Sequence, residues 1–250
     1  MQAYLTLTRR ELGAYFMSLT GYVIIAAATF LVGLSFVQML EVLQEETTLR
    51  PMTEVFLDTE FFWLVLLLTT PVITMRLFAL EKFSGTFETL MTTPVSEVQV
   101  VLAKFSSAMV FYAVMWLPLL GCMLIVRHYT NDVTAFDWVS LATTFLGILL
   151  LGGLFISLGC CASALTRSQV VAAMISLLAG ATLYLLAYLA KSFPAQGDWK
   201  AQALACFAFF SQMRDFVRGT VDSRAVVLMV SLTAFFLFLT LRIVESRRWK

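Results

Sequence analysis

The chain has 250 residues, of which 60% are hydrophobic and 13% charged, with a formal net charge of +1. A soluble domain carries about a quarter charged residues, so this composition, with a mean hydropathy of +0.87, excludes a soluble globular protein. It indicates an all-α polytopic membrane protein whose length sets the number of spans, and the near-zero net charge gives no reason to expect a nucleic-acid partner.

In chain order, the first element predicted is amphipathic. Leu5, Thr8, Leu12, Tyr15, Phe16 and Leu19 fall on one helical face, with Gln2, Thr6, Arg10 and Gly13 opposite. Two readings fit: a helix lying in the membrane interface, or a plain N-terminal extension of the first span. Six charge-free runs follow, at 21–40, 61–80 (with Arg76 inside the extension), 105–126, 139–165, 170–190 and 225–241. A spanning helix needs roughly 20 apolar residues. The first run has no small-residue cleavage site after it and is expected to be retained as a span. Pro71 and Pro118 fall inside the second and third runs, where each removes a backbone donor and favours a kink.

With both termini inside, the cytoplasmic side holds Arg9, Arg10, Arg76, Lys82, Lys104, Arg167, Arg242, Arg247, Arg248 and Lys250, which is 10 of the 17 basic residues. That excess predicts an N-in, C-in orientation. Small residues recur in the fourth run at Gly153, Ser157, Cys160 and Ala164, with Gly152 and Gly159 beside them, and in the fifth at Ala172, Ser176, Ala179 and Gly180. Such ridges let helix backbones approach closely. They fit packing of spans four and five against each other, or a seam between two chains.

No catalytic constellation is present. The single histidine, His128, stands alone, and there is no GxSxG, HExxH or GxxxxGK[ST] pattern. Cys122, Cys160, Cys161 and Cys206 show no metal-like spacing. No ionisable residue falls at the centre of a run, where ion-coupled carriers place one. If the chain does mechanical work, the energy is expected to arrive from outside the membrane.

The longest cytoplasmic insert, 76–104, is where it would enter. Gly85 permits a tight turn, Pro94 stops a helix begun near Thr86, and Ser96 with Gln99 forms a capping box for the next helix. Two readings fit again: a short helix across the membrane face, presenting Glu81, Lys82, Thr86 and Glu88 to the cytoplasm, or a solvated hairpin.

ITMRLFALEKFSGTFETLMTTPVSEVQVVLAKF resembles the signature of ABC-2 type export permeases, closest to the branch associated with gliding motility. RRELGAYFMSLTGYV, SLGCCASALTRSQVVAA and SQMRDFVRGTVDSRAVVLMVSLTAFFLFLTLRIVESRRWK extend the resemblance over nearly the whole chain. The branch usually has an acidic residue where this chain has Leu80, so a family ion pair at that position is not carried over.

The resemblance implies a single ABC-2 transmembrane domain over 1–250, in a bacterial cytoplasmic membrane. It implies a coupling helix within 81–94 that contacts an ATP-binding subunit through Glu81, Lys82, Gly85, Thr86, Glu88, Thr93 and Pro94. Two copies of that subunit, and a second permease chain identical or related to this one, would complete the assembly. ATP and Mg would be held by the ATPase, so no cofactor is expected in this chain. The resemblance also implies an outer helical hairpin at 191–224, including Trp199, Phe207, Phe209, Phe210, Arg214, Asp215 and Arg218, where the residues alone allow a plain amphipathic loop. The competing function is a scaffold or assembly component of a gliding-type surface machine, with the same fold and no moving substrate.

Overall fold

The computed structural model describes residues 2–45, 52–87, 95–130, 138–192 and 207–246. Among them are eleven helices and no strand: α1 (Gln2–Phe16), α2 (Leu19–Glu45), α3 (Met52–Asp58), α4 (Glu60–Thr74), α5 (Ala79–Ser84), α6 (Glu97–Met115), α7 (Leu117–Thr130), α8 (Trp138–Leu165), α9 (Gln169–Ser192), α10 (Phe209–Val217) and α11 (Ser223–Ser246). Six stretches are long and apolar enough to cross a membrane: 19–42, 61–84, 97–126, 138–165, 169–190 and 223–246. The chain is therefore an all-α, multi-pass protein.

Helix α8 is the centre of the bundle, packed by α4, α6, α9, α10 and α11. In its most apolar window 78% of residues are buried, against 11% in α11. A helix apolar all round, as α8 is, belongs in the interior. Its small residues allow the neighbours in. Gly153, Ser157, Cys160 and Ala164 are all buried, and a Cβ on Gly153 would face Met109 and Phe105 of α6. The tightest approaches lie beside that stripe. A Cβ on Gly152 would fall 2.1 Å from the Tyr112 ring, and one on Gly159 the same distance from Thr74 Oγ1. Cys122, Cys160 and Cys161 are free thiols.

The N-terminal helix is a separate element. The chain turns at Met17 and Ser18 so sharply that a Cβ on Gly21 would lie 2.0 Å from the Tyr15 carbonyl oxygen. Helix α1 then runs back along α6. Tyr15 stacks on Phe111 at 4.8 Å, its hydroxyl donates to the Ile73 carbonyl at 2.8 Å, and Tyr4 and Ser106 share a 2.7 Å hydrogen bond. The predicted apolar face divides accordingly: Tyr15 is buried, while Leu5 and Leu19 stay exposed.

The third apolar run is one membrane-crossing stretch, 97–126, interrupted two residues before Pro118. It is two helices, α6 and α7, broken at Trp116. Pro118 sits in the first turn of α7, where a missing N–H costs nothing because no intrahelical partner awaits it. Pro71 does lie inside its helix, α4.

Candidate functional site

The insert is built from both ends of the charge-poor helices around it. After α4 the chain turns through Met75–Phe78 and starts α5. Its first N–H groups have no cap within their own segment. A buried hydroxyl of α8 serves instead: Ser163 Oγ accepts from the N–H of Phe78 and of Ala79, each at 3.1 Å. Orphan donors at a helix start need such an acceptor when buried. The C-terminus of α5 is closed by Gly85 at φ 73°, the left-handed cap that favours glycine. Across that turn Ser84 and Thr86 are joined by a 2.8 Å hydrogen bond. Helix α6 begins as the capping pattern anticipates, with Ser96 Oγ accepting from Gln99 N–H at 3.4 Å.

Glu81 and Lys82 do not point freely outward. The Glu81 carboxylate accepts from Lys104 Nζ at 2.8 Å and from Arg10 Nη2 at 3.1 Å. Lys104 also reaches Glu11 at 3.1 Å, and Arg10 reaches Glu11 at 2.9 Å. Lys82 turns the other way. Its Nζ donates to the carbonyl of Ala164, in the last turn of α8, and lies 5.2 Å from the centre of the Phe87 ring. A cation at a helix C-terminus satisfies carbonyls that the helix itself leaves open. Among the described residues of 81–94, the exposed ones are instead Phe83, Ser84, Gly85 and Thr86, with Phe83 at 78% exposure. Glu88, Thr93 and Pro94 lie outside the described residues.

So α5 is a six-residue strut. It is held on one flank by α8 through Ser163 and Ala164, and on the other by α1 and α6 through Glu81. Sequence reading missed Glu11, Lys104, Ser163 and Ala164 as partners of the insert. The only signal available was the type of three of them, two ionisable residues within helices and a serine in the last turn of α8.

The opposite side carries a second set of ion pairs. Arg218 clamps the buried Glu54 of α3 through two bonds, at 2.8 and 3.0 Å, and Arg214 meets Asp58 at 2.8 Å. The hydrogen bonds to Glu54 push the Arg218 guanidinium above its ordinary pKa, so that partner stays charged. Helix α10 buries Phe209, Met213, Phe216 and Val217. Phe210 lies 4.3 Å from Trp63 and 5.5 Å from Tyr184. Of the expected outer segment 191–224, α10 and its flanks at 207–224 and the end of α9 are described; Trp199 lies outside the described residues.

Six membrane-crossing stretches, one of them the buried central helix α8, with the inter-helix ion pairs of the described residues at the two ends, define a multi-pass integral membrane protein. The family model for "ABC-2 family transporter protein" matches residues 14–240, and the chain belongs to that family. It is accordingly a membrane permease of an ABC transporter, a class that associates with an ABC ATPase subunit. A search of curated proteins finds no match to the chain.

Proposed function

We propose that this chain is the permease subunit of an ATP-driven exporter and that segment 81–94 of its insert is where a separate ATPase docks and delivers force. The observation that carries this is α5: a short helix braced on two flanks, yet presenting Phe83, Ser84, Gly85 and Thr86 to the outside. A braced element with an open face is suited to receiving a push without dissipating it. The absence of a midplane ionisable residue in the sequence agrees with an external energy source. In this reading two ATPase copies hold ATP and Mg, two permease chains form one pathway, and both termini lie in the cytoplasm of a bacterial inner membrane. The signature around Lys82 and Gly85 supports placing the chain, within this proposal, in the gliding-motility branch.

The test is co-purification with a candidate ABC ATPase subunit co-expressed with the chain, followed by measurement of permease-dependent ATP hydrolysis. Gly85→Trp and Glu88→Lys are expected to lose ATPase binding and the stimulated turnover together. Unchanged binding in both variants overturns the docking assignment. Binding that is lost in the variants, with no tested substrate altering wild-type turnover, favours the scaffold function over transport.

A further inference from the structure

Just beyond the end of α4, Arg76 carries a charge that no carboxylate answers. Glu11 and Glu81 are taken by Arg10 and Lys104, and among the described residues Arg76 forms no ion pair. Its Nη1 donates to the hydroxyl of Thr20 in the first turn of α2, while its Nε is buried with no hydrogen-bond partner. A cation is favoured at the C-terminus of a helix, which accounts for its place after α4. That leaves the buried open donor unexplained, because such a group costs stability until an acceptor reaches it. Hydroxyls stand beside it. Ser18 Oγ and Thr20 Oγ1 share a 2.9 Å hydrogen bond, and the Gly21 N–H donates to Ser18 Oγ at 3.2 Å. With Ser18 as donor in that bond, the Thr20 proton is left for an incoming acceptor. The cluster therefore offers donors and positive charge, the chemistry that recognises phosphate oxygens.

We propose that Arg76, with the hydroxyls of Ser18 and Thr20, binds the phosphate of an anionic phospholipid headgroup. A small rotation of the guanidinium brings its Nε–Nη2 edge to two phosphate oxygens, while Nη1 stays near Thr20. The surrounding residues select a lipid over a free phosphate ion. Met17, Leu19, Tyr22 and Val23, which flank Ser18 and Thr20 in the chain, are all exposed large hydrophobics. A soluble anion gains nothing from them, whereas the acyl chains of a lipid cover them. Arg76 also belongs to a membrane-crossing stretch, 61–84, near the end that carries the insert, at the depth where headgroups lie. The preference for an anionic headgroup follows from the unpaired charge, since a zwitterionic lipid would leave it uncancelled. The bound lipid ties the start of α2 to the end of α4. The site is independent of the docking reading.

Native mass spectrometry of the full chain, purified in detergent and titrated with phosphatidylglycerol or phosphatidylcholine, tests this. In the wild type the first phosphatidylglycerol is expected to bind about fivefold more tightly than the first phosphatidylcholine, the effect of one favourable charge at the membrane surface. Arg76→Gln is expected to weaken the first phosphatidylglycerol by about tenfold, the loss of a charge-assisted hydrogen bond. Thr20→Val weakens it in the same direction by a smaller factor. Arg242→Gln, which removes a cation already paired with Glu245, keeps the wild-type affinity. A first phosphatidylglycerol that binds Arg76→Gln as tightly as the wild type overturns the site. Equal wild-type affinities for the two lipids overturn the anionic assignment. Inorganic phosphate that binds the wild type and not Arg76→Gln, with neither lipid responding to the substitution, overturns the lipid as the source of the phosphate. Should Arg76→Gln not fold, Thr20→Val and the wild-type preference between the two lipids still decide.

Discussion

At Gly159 the central helix meets Thr74 of α4 with no room for a side chain. A Cβ there would lie 2.1 Å from Thr74 Oγ1 and 2.7 Å from Thr74 Cβ. Thr74 has nowhere to go, because it is fully buried and its hydroxyl donates to the Thr70 carbonyl at 2.8 Å. At Gly153 the nearest atoms are the tip of Met109, at 3.7 Å. Overpacking a core costs about 1–3 kcal/mol, whereas replacing a helical glycine by alanine returns up to about 1 kcal/mol. Gly159→Ala is expected to lower stability by about 1–2 kcal/mol, and Gly153→Ala to leave it unchanged or slightly raised. Thermal melting of the detergent-purified permease distinguishes them, and equal melting temperatures would refute the close approach. The spacing that singles out Gly153, Ser157, Cys160 and Ala164 identifies α8 as a helix built for close neighbours. It does not identify the tightest position, because a helix buried nearly all round gives its small residues no preferred face to align on.

At the scale of the element, α5 depends on the turn that ends it. Gly85 has open space around its Cα, with nothing within 4 Å of a built Cβ, so the only barrier to substitution is its φ of 73°. A β-branched residue pays most for that conformation, about 1–2 kcal/mol, and asparagine least. Permease-dependent ATP hydrolysis by the co-purified complex is expected to fall in Gly85→Val and to stay near wild type in Gly85→Asn. Equal activities would mean that the left-handed turn is dispensable. The punctuation of this segment was readable from the chain: the glycine turn and the Ser96 cap are local rules acting over three or four residues. What braces the segment was not. Glu81 finds Lys104 across 23 positions, Glu11 finds Lys104 across 93, and the α5 donors find Ser163 across 85. No period or motif links such pairs. The charges therefore read as solvated flanks of an exposed helix, until packing brought them under cover.

For the whole molecule, the six runs were legible because the bilayer demands length and apolarity and little else. The fate of each end was less so, since charge counting gives a side but no partner. In the structure the charged contacts sort cleanly into two groups. Arg10, Glu11, Glu81, Lys82 and Lys104 gather at the end that holds the insert, and Glu54, Asp58, Arg214 and Arg218 at the other. The basic residues assigned to the inside from sequence include Arg10, Lys82 and Lys104, and those assigned outside include Arg214 and Arg218, so one orientation satisfies both groups. Ser84 and Thr220 are exposed, one at each end, and provide a direct probe. With both ends of the chain inside, a membrane-impermeant maleimide applied to intact cells labels Thr220→Cys above the wild-type background and spares Ser84→Cys. Permeabilisation then exposes Ser84→Cys to the reagent. Labelling of Ser84→Cys in intact cells would place the insert outside, beyond the reach of any cytoplasmic ATPase, and would overturn the orientation and the docking reading together.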